Sequence, residues 1–366
     1  MDESYFSYSS IYLYNLYMLA IHNIRLVKYK NLTNFARRIE PNGETMNLDS
    51  KYLNILESVS FQPIFILGFH RSGTSILYEM LIETDCFNPV TTYHVINYDQ
   101  LLYNHINKEE EKVKHALNKF FEEGRQIDRG IDRLKISADF PEEYRFIFTK
   151  KSHRPKITPE NLPLFIEICK KIQFISDKGK PLLLKNPWDF PNFMFIKKAF
   201  PEAKFIFIHR NPIDVMNSNI KSIYDLFKKK NLYTALLSKD YEKVADSVLL
   251  LHLYRFFLFL KTPRMCKAEA RRMVKITDYY LTNINFLNQE DYISIRYEDL
   301  CKKPEEMIPK IMSFLGIKTK SEIKYSDFIK TRKTTLLDRV KQQRPYIGKN
   351  MHKYLTYCGY NIGDVG

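Results

Sequence analysis

The feature that most restricts the fold is a short apolar segment, Pro63-Ile-Phe-Ile-Leu67, that leads directly into a glycine-containing loop. Such a continuous apolar run is typical of a strand buried on both faces of a parallel sheet. The loop carries Gly68 and Gly73, and the amphipathic stretch 76–82 predicts a helix directly after it. Backbone N–H groups in a loop of this kind, together with the N-terminus of the helix, can surround an anion. The segment therefore predicts an anion-binding strand–loop–helix unit.

Three more apolar segments follow the same pattern further along the chain. Residues 182–184, 204–208 and 292–295 predict buried strands, and helices are predicted at 189–199, 236–260 and 264–286. Strands that alternate with helices favour a parallel sheet covered on both faces. We therefore predict an α/β fold of three layers, with a central parallel sheet flanked by helices.

The regions outside this alternation are predicted to be additions to the sheet. Residues 1–60 form a helical N-terminal extension, and residues 61–366 form the main domain. Within that domain, the charge-rich residues 98–180 are predicted to be a helical insertion, with helices at 99–123, 141–150 and 160–175. The final 25 residues are basic and irregular, which predicts a loop closing over the site.

The composition favours a globular protein with anionic partners. The 57 Lys and Arg residues exceed the 42 Asp and Glu residues, which gives a net charge of +15. That balance suits nucleotides, acidic glycans, nucleic acid or a membrane surface, without choosing among them. The 45% hydrophobic content is too high for a disordered chain. Because the five cysteines are scattered, with no pairing at metal-ligand spacing, neither a disulfide framework nor a metal site is predicted.

The N-terminus carries Asp2 and Glu3 where a secretory signal has basic residues, which predicts a cytoplasmic location. The most apolar stretch, residues 11–21, is shorter than the roughly 20 residues needed to span a bilayer. Residues 11–27 are compatible with an amphipathic helix, packed either on the core or on a membrane surface.

The loop between the first strand and its helix has the chemistry of a phosphate or sulfate site. Arg71 supplies a permanent cation that can bind an oxyanion through two N–H groups. Thr74 and Ser75 place hydroxyl groups in the first turn of the helix. A P-loop ATPase has the pattern GxxxxGK[ST], whereas here Thr74 follows Gly73. The missing lysine argues against an ATP or GTP hydrolase.

A second anion subsite is predicted after the third strand, in Phe207-Ile-His-Arg210-Asn-Pro-Ile-Asp-Val-Met-Asn-Ser218. Arg210 stands at the carboxyl edge of the sheet, where open α/β sheets bind ligands. Ser218 follows eight residues later, about two helical turns into the next helix, and can present its hydroxyl to the same anion. Two anion subsites on one sheet suit a ligand that is phosphorylated at two ends.

Four motifs in this order resemble a known family. GFHRSGTS, LLLKNPWDF, FIFIHRNPIDVMNS and RYEDLCKKPEEMIPKIMSFLGI resemble the sulfotransferases that use 3′-phosphoadenosine 5′-phosphosulfate (PAPS), in particular the branch with PRSGTT, DxPEE, KxPxH, HRDP and YEDL motifs. The match covers about 63–320. It implies a P-loop-like fold and transfer of a sulfuryl group from PAPS to an acceptor hydroxyl, without a metal.

The resemblance also implies roles for individual residues. The loop that would hold the 5′-phosphosulfate comprises Arg71, Ser72, Gly73, Thr74 and Ser75, and Arg210 with Ser218 would hold the 3′-phosphate. Arg344 and Lys349 stand where many sulfotransferases close a basic loop over that phosphate. Lys185 resembles the lysine of KxPxH and would stabilise charge on the leaving group together with Arg71.

Two positions can supply the base that removes the acceptor proton. His94 lies 23 residues after Arg71, where the related branch has a glutamate, and histidine is a competent base near neutral pH. The alternative is the acidic pair of Asp139-Phe-Pro-Glu142-Glu143, in which Glu143 is the candidate. This pair can also orient the acceptor or cap a helix that has Pro141 in its first turn.

The resemblance implies a hydroxyl acceptor, with a glycan or glycolipid favoured, and the insertion at 98–180 is predicted to shape its site. No nucleic acid partner is expected. Two other classes of protein remain open at this point. A P-loop small-molecule kinase would need a Walker lysine and a carboxylate for Mg²⁺, and a non-catalytic basic protein would bind membrane or nucleic acid without the nucleotide.

Overall fold

The computed structural model describes residues 46–126, 128–131, 134–228, 230–319, 323–329 and 335–360. The predicted membrane contact through residues 11–27, and most of the N-terminal extension, lie outside these ranges. Of the extension, the structure describes a 3₁₀ helix at Leu48–Ser58. No helix in the described ranges is both long and apolar enough to cross a membrane.

The centre of the molecule is a parallel sheet of five strands. In chain order these are β1 Pro63–Leu67, β2 Asn88–Pro89, β3 Leu182–Lys185, β4 Lys204–His209 and β5 Tyr292–Arg296. Their spatial order is β2-β3-β1-β4-β5, and every neighbouring pair is parallel. The four predicted strands are confirmed. The two-residue edge strand β2 is new, since two residues are too few to show a pattern.

Alternation along the strands builds the two faces that the three-layer prediction requires. Phe65, Phe205 and Phe207 belong to one hydrophobic cluster, whereas Ile66 and Ile206 belong to another on the opposite face. The prediction of a central parallel sheet between two layers of helices is therefore confirmed.

The helices flank this sheet in the following order along the chain: α1 Thr74–Glu83, α2 Thr92–Ile96, α3 Leu101–Ile106, α4 Glu110–Glu123, α5 Arg145–Lys150, α6 Leu162–Ile175, α7 Phe193–Ala199, α8 Pro212–Leu226, α9 Leu232–Leu237, α10 Lys239–Ala245, α11 Val248–Asn283, α12 Tyr297–Lys302, α13 Pro304–Phe314, α14 Asp338–Lys341, α15 Arg344–Asn350 and α16 His352–Tyr357. Residues 98–180 contain α3 to α6, as the helical pattern predicts. Their role as an acceptor-site insertion, and the domain boundaries, stay predictions.

Two predicted helices, 236–260 and 264–286, are wrong in their boundaries. The structure has two short helices, α9 and α10, and then a single helix of 36 residues, α11, that continues through Pro263. A proline normally breaks a helix because it removes one backbone hydrogen bond and crowds the preceding turn. Here buried Leu258 and Cys266 anchor the helix on both sides of Pro263, which offsets the loss.

The predicted irregular tail is also wrong, because residues 344–357 form α15 and α16. Ile347, Met351, Tyr354 and Leu355 are buried in the main core at helical spacing. A closing loop built from Arg344 and Lys349 is thereby replaced by a packed helix.

The predicted helix start at Pro141 is likewise wrong. Pro141 forms an antiparallel bridge with Thr91, the backbone N–H of Glu142 donates to the carbonyl of Val90 at 2.8 Å, and α5 begins only at Arg145. Glu142 and Glu143 therefore lie in a non-helical segment that pairs with residues 90–91.

Candidate functional site

The backbone of the glycine loop is shaped by close contacts. A Cβ at Gly68 would lie 2.5 Å from the carbonyl oxygen of Ile208, and one at Gly73 would overlap the ring of Tyr297. Gly73 has φ +99° and Arg71 has φ +70°. A positive φ is unusual for a non-glycine residue and is concentrated at functional sites. The hydroxyl of Ser72 donates to the carbonyl of Phe69 at 2.7 Å and closes the turn.

The two predicted anion subsites meet in space. The Nε of Arg71 donates to the hydroxyl of Ser218 at 3.2 Å, and Nη1 of Arg210 donates to the carbonyl of Arg71 at 2.8 Å. Arg71 comes from the loop after β1, whereas Arg210 and Ser218 come from β4 and α8. Because β1 and β4 are neighbouring parallel strands, their carboxyl ends bring these side chains to one edge of the sheet.

An aromatic ring and charged side chains surround Arg210. The guanidinium of Arg210 lies 4.3 Å from the centre of the Tyr297 ring, the same ring that confines Gly73. Burial raises the pKa of Asp214, in the first turn of α8, and the charge of Glu298 acts in the same direction, while the charges of Arg210 and Arg344 act in the opposite direction. Arg344, at the start of α15, therefore lies close enough to the Arg210 site to influence Asp214. Lys349 is exposed in the last turn of α15.

A second group of side chains surrounds the start of α1. Lys185, at the end of β3, is fully buried, and its Nζ donates to the hydroxyl of Ser75 at 3.0 Å. The same Nζ lies 3.6 Å from Oε1 of Glu143. Thr74 is buried at the first position of α1. A cation, a carboxylate and a hydroxyl thus meet beside the loop.

The carboxylate of Glu143 is held in its ionised form. Burial by itself would raise the pKa of Glu143, but the positive charges of Arg145 and Lys185 outweigh burial and place the pKa well below its usual range. The Nε of Arg145 lies 2.5 Å from Oε2 of Glu143. Glu143 is therefore ionised and able to accept hydrogen bonds across the physiological pH range, although the same positive charges make it a weaker base than a free carboxylate.

The neighbouring Glu142 has a different environment. It is fully buried, with Oε1 accepting from the hydroxyl of Tyr233 at 2.8 Å and lying 3.5 Å from Nη2 of Arg129. Arg129 in turn reaches the hydroxyl of Ser75 at 3.5 Å. Glu142 thus ties residues 129–131 and α9 to the loop, whereas Glu143 lies next to Lys185.

The side chain of His94 caps the first turn of its own helix, α2. Its Nδ1 accepts a hydrogen bond from the backbone N–H of Thr91 at 3.1 Å, while the Thr91 hydroxyl accepts from the backbone N–H of His94. This reciprocal pair is a capping box, with histidine in the place of the usual glutamate. Burial lowers the pKa of His94 to about 3, so the ring is neutral. Its role as base stays a prediction.

Two aromatic residues near the loop were not identified from the sequence as site residues. His70 and Trp188 pack edge to face with ring centres 5.2 Å apart. His70 Nε2 and Trp188 Nε1 are both buried, and neither has a hydrogen-bond partner within the described ranges. Buried polar atoms of this kind usually receive a partner from water or a ligand. The sequence contained one signal for His70, its place next to Arg71 in the loop.

Charged side chains of both signs act on His70. Burial lowers the pKa of His70 to about 3, with smaller and opposing effects from Glu143 and Arg145 and from Arg272 and Glu269 of α11. Nη2 of Arg272 and Oε1 of Glu269 form an ion pair at 2.6 Å. No local motif marks these two residues. Among the described residues, no group of His, Cys, Asp or Glu side chains could hold a metal ion.

The fold resembles a solved sulfotransferase. The chain superposes on the crystal structure of sulfotransferase STF9 from Mycobacterium avium with a TM-score of 0.60, over 99% of both chains and at 14% identity. At this identity the likeness concerns the fold alone.

Sequence comparison gives the family. A curated relative from Mycobacterium bovis, omega-hydroxy-beta-dihydromenaquinone-9 sulfotransferase Stf3, is 26% identical over 278 residues, and the Mycobacterium tuberculosis protein of the same name matches equally. The matched region covers 70% of this chain and 63% of the length of the relative. The model of the family described as "Sulfotransferase family" matches residues 63–321, which include the glycine loop, Lys185 and Arg210. The chain belongs to the sulfotransferase family.

Proposed function

We propose that the protein transfers a sulfuryl group from PAPS to a hydroxyl group of a second substrate. The observation that carries the proposal is the arrangement at the carboxyl edge of the sheet. Arg71, Arg210 and Ser218 are linked in one subsite, and Lys185 and Glu143 form another beside Ser75. The first arrangement suits a nucleotide phosphate, and the second suits the reacting group.

The donor would be held at both ends. The loop 71–75 and the start of α1 offer backbone N–H groups and hydroxyls to the 5′-phosphosulfate. Arg210 and Ser218, with Arg344 nearby, would bind the 3′-phosphate. The positive φ of Gly73 supports this assignment, because glycine is the usual residue where a backbone turns tightly around a ligand; its missing side chain also leaves room for the Tyr297 ring. We include Lys349 as an outer contact, on the basis of the family resemblance alone.

The reacting groups of this chain can be assigned from their contacts. In the transfer, the acceptor oxygen forms a bond to sulfur, and the bond from sulfur to the oxygen of the 5′-phosphate breaks. Glu143, ionised beside Lys185, takes the proton of the acceptor hydroxyl. Lys185 and Arg71 stabilise the negative charge that remains on the phosphate. The 3.6 Å separation of Lys185 and Glu143 supports their action on neighbouring atoms of one reaction.

Glu143 is the better supported of the two candidates for the base. His94 uses Nδ1 in the capping box of α2, and its contacts there orient the ring toward its own backbone. Glu143 is in contact with Lys185, which itself contacts the loop. We therefore assign the proton transfer to Glu143 and treat His94 as the alternative that mutagenesis must exclude.

The acceptor is proposed to be a hydroxyl on a lipid-soluble molecule, glycolipids included. The curated relatives are named for sulfation of a hydroxylated menaquinone derivative. Aromatic side chains next to the loop, His70 and Trp188, could pack against such a molecule and supply polar contacts through His70 Nε2 and Trp188 Nε1.

The test is a calorimetric titration with 3′-phosphoadenosine 5′-phosphate (PAP), with AMP and ATP–Mg²⁺ run in parallel. We expect PAP to bind at least 100-fold more tightly than AMP, because a second phosphate engages a charged subsite. Incubation with sulfur-labelled PAPS and hydroxylated lipids then identifies the acceptor. Equal binding of PAP and AMP would refute the donor assignment, and preference for ATP–Mg²⁺ would favour a kinase.

A further inference from the structure

The N-terminal half of α11 carries an apolar surface that the proposed function does not use. Val248, Leu249, Leu253 and the aromatic residues of the same turns are exposed, with 71% of Val248 and 71% of Phe259 accessible to solvent. The larger set is Val248, Leu249, Leu253, Phe256, Phe257, Phe259 and Leu260, which we call the α11 apolar face. Contiguous exposed apolar surface of this kind marks an interaction site.

The arrangement of these residues follows the helical repeat. Leu249, Leu253, Phe256 and Leu260 are spaced by three or four residues, so they form one row along the helix. Leu251, Leu258 and Thr262 lie on the opposite side and are buried. This part of α11 therefore has two apolar sides: one packs against the rest of the protein, and the other is exposed to solvent.

Positively charged residues continue this row along the helix. Arg264, Lys267 and Arg271 follow Leu260 at intervals of three or four residues, and all three are exposed. Between residues 248 and 268 the helix has Arg255, Lys261, Arg264 and Lys267 but no Asp or Glu. An apolar row that leads into a cationic row matches the boundary of a bilayer, where acyl chains meet anionic headgroups.

We propose that the α11 apolar face docks the protein on the surface of an anionic lipid bilayer, with Phe256 and Leu260 entering the interface and Arg264 and Lys267 binding headgroup phosphates. The contact is peripheral, since no described helix can span a membrane. The charge complementarity selects an anionic membrane over a second copy of this chain, which is itself strongly basic at +15. The proposal does not depend on sulfuryl transfer.

The position of the face has a consequence for the site. Glu269 and Arg272, whose charges act on His70 in the glycine loop, lie about ten residues beyond Phe259 on the same helix. At about 1.5 Å per residue, that spacing is roughly 15 Å along the axis. A docked α11 would hold the candidate site next to the membrane, within reach of an acceptor dissolved in it.

The test uses the full chain and sedimentation with vesicles of phosphatidylglycerol and phosphatidylcholine. We expect the protein to bind vesicles that contain about 30% phosphatidylglycerol, and to bind vesicles of pure phosphatidylcholine at least about tenfold more weakly. Phe256→Glu with Leu260→Glu should reduce binding at least tenfold. Arg264→Glu with Lys267→Glu should reduce it to a similar extent on anionic vesicles only.

The control variants carry matching substitutions at positions outside the α11 apolar face. Phe286→Glu changes an aromatic residue of similar exposure, 72%, in another part of the surface, and Lys310→Glu reverses an exposed charge on α13. Both should bind vesicles like the unmodified protein. Thermal unfolding and PAP titration of each variant check the fold and the donor site separately.

Three results would overturn the proposal. Vesicle binding that survives the Phe256 and Leu260 substitutions would move the contact elsewhere, with residues 11–27 the first region to test. Absence of vesicle binding by the unmodified protein would remove the membrane as partner. A dimer in sedimentation velocity that these substitutions dissociate, without vesicle binding, would assign the face to self-association.

Discussion

Arg210 provides the sharpest test of how the donor is held. Its guanidinium donates to the carbonyl of Arg71 and lies over the Tyr297 ring, so the remaining N–H groups can form two parallel hydrogen bonds with a phosphate. Replacing Arg210 with Ala removes these bonds and also the contact with Arg71. The first loss affects only ligands with a 3′-phosphate, whereas the second affects every nucleotide.

The expected magnitude follows from the number of bonds and the exposure of the site. A hydrogen bond to a charged group contributes about 1.5–3 kcal/mol, and Arg210 is half-buried, so the lower value applies. Two bonds then contribute about 3 kcal/mol, which corresponds to a loss of roughly 100-fold in PAP affinity. The PAP affinity of Arg210→Lys should lie between the affinities of the unmodified protein and Arg210→Ala, because lysine keeps the charge but lacks the planar pair of donors.

The assay is a cycle of four titrations, with PAP and AMP binding to the unmodified protein and to Arg210→Ala. The cycle cancels any general loosening of the loop, because that change weakens both ligands equally. We expect PAP to lose about 100-fold and AMP less than about threefold. Lys310→Ala, on the outer helix α13, serves as a control that changes neither. An equal loss for PAP and AMP would show that Arg210 supports the loop and does not read the 3′-phosphate.

Three further predictions concern the candidate base, the glycine loop and the pH dependence of stability. Glu143→Gln should lower kcat by about 10²–10⁴-fold and leave PAP binding unchanged. His94→Asn should lower the unfolding free energy by about 1 kcal/mol, because it disturbs the capping box, and leave kcat nearly unchanged. Steady-state kinetics with labelled PAPS and urea unfolding measure these effects, and the reverse pattern would make His94 the base. Gly73→Ala should lose more stability and PAP affinity than Gly316→Ala, since both have a positive φ but only Gly73 faces Tyr297; equal losses would mean that Tyr297 moves aside freely. Burial lowers the pKa of His209 to about 3, so below about pH 6.5 the unfolded chain binds a proton that the folded chain does not. The unfolding free energy should therefore fall as the pH drops from about 6.5 to about 4, and His209→Gln should reduce the slope of unfolding free energy against pH by up to about 1.4 kcal/mol per pH unit. An unchanged slope would show that His209 is not the group responsible.

Local pattern was sufficient for four of the five strands and insufficient for several of the helices around them. The strands at 63–67, 182–185, 204–209 and 292–296 are continuous apolar runs because both faces of the sheet are covered, and that burial is visible in the residues themselves. The helix through Pro263 and the packed tail of α15 and α16 depend on distant partners. Pro263 is tolerated because Leu258 and Cys266 are buried, and the tail is helical because Ile347 and Tyr354 enter the main core.

The sequence by itself determined the order of strands and loops and, through the four motifs, the family and the residues that we propose bind the donor. Each of those motifs lies within a few residues of a strand end, so its chemistry is readable from neighbours in the chain. Only the tertiary structure decided which charges meet. Lys185 and Glu143 are 42 positions apart in the chain and 3.6 Å apart in space, and His94 lies in a cap. Parallel strands bring their carboxyl ends to one edge whatever the length of chain between them, and no local pattern records which side chains face each other there.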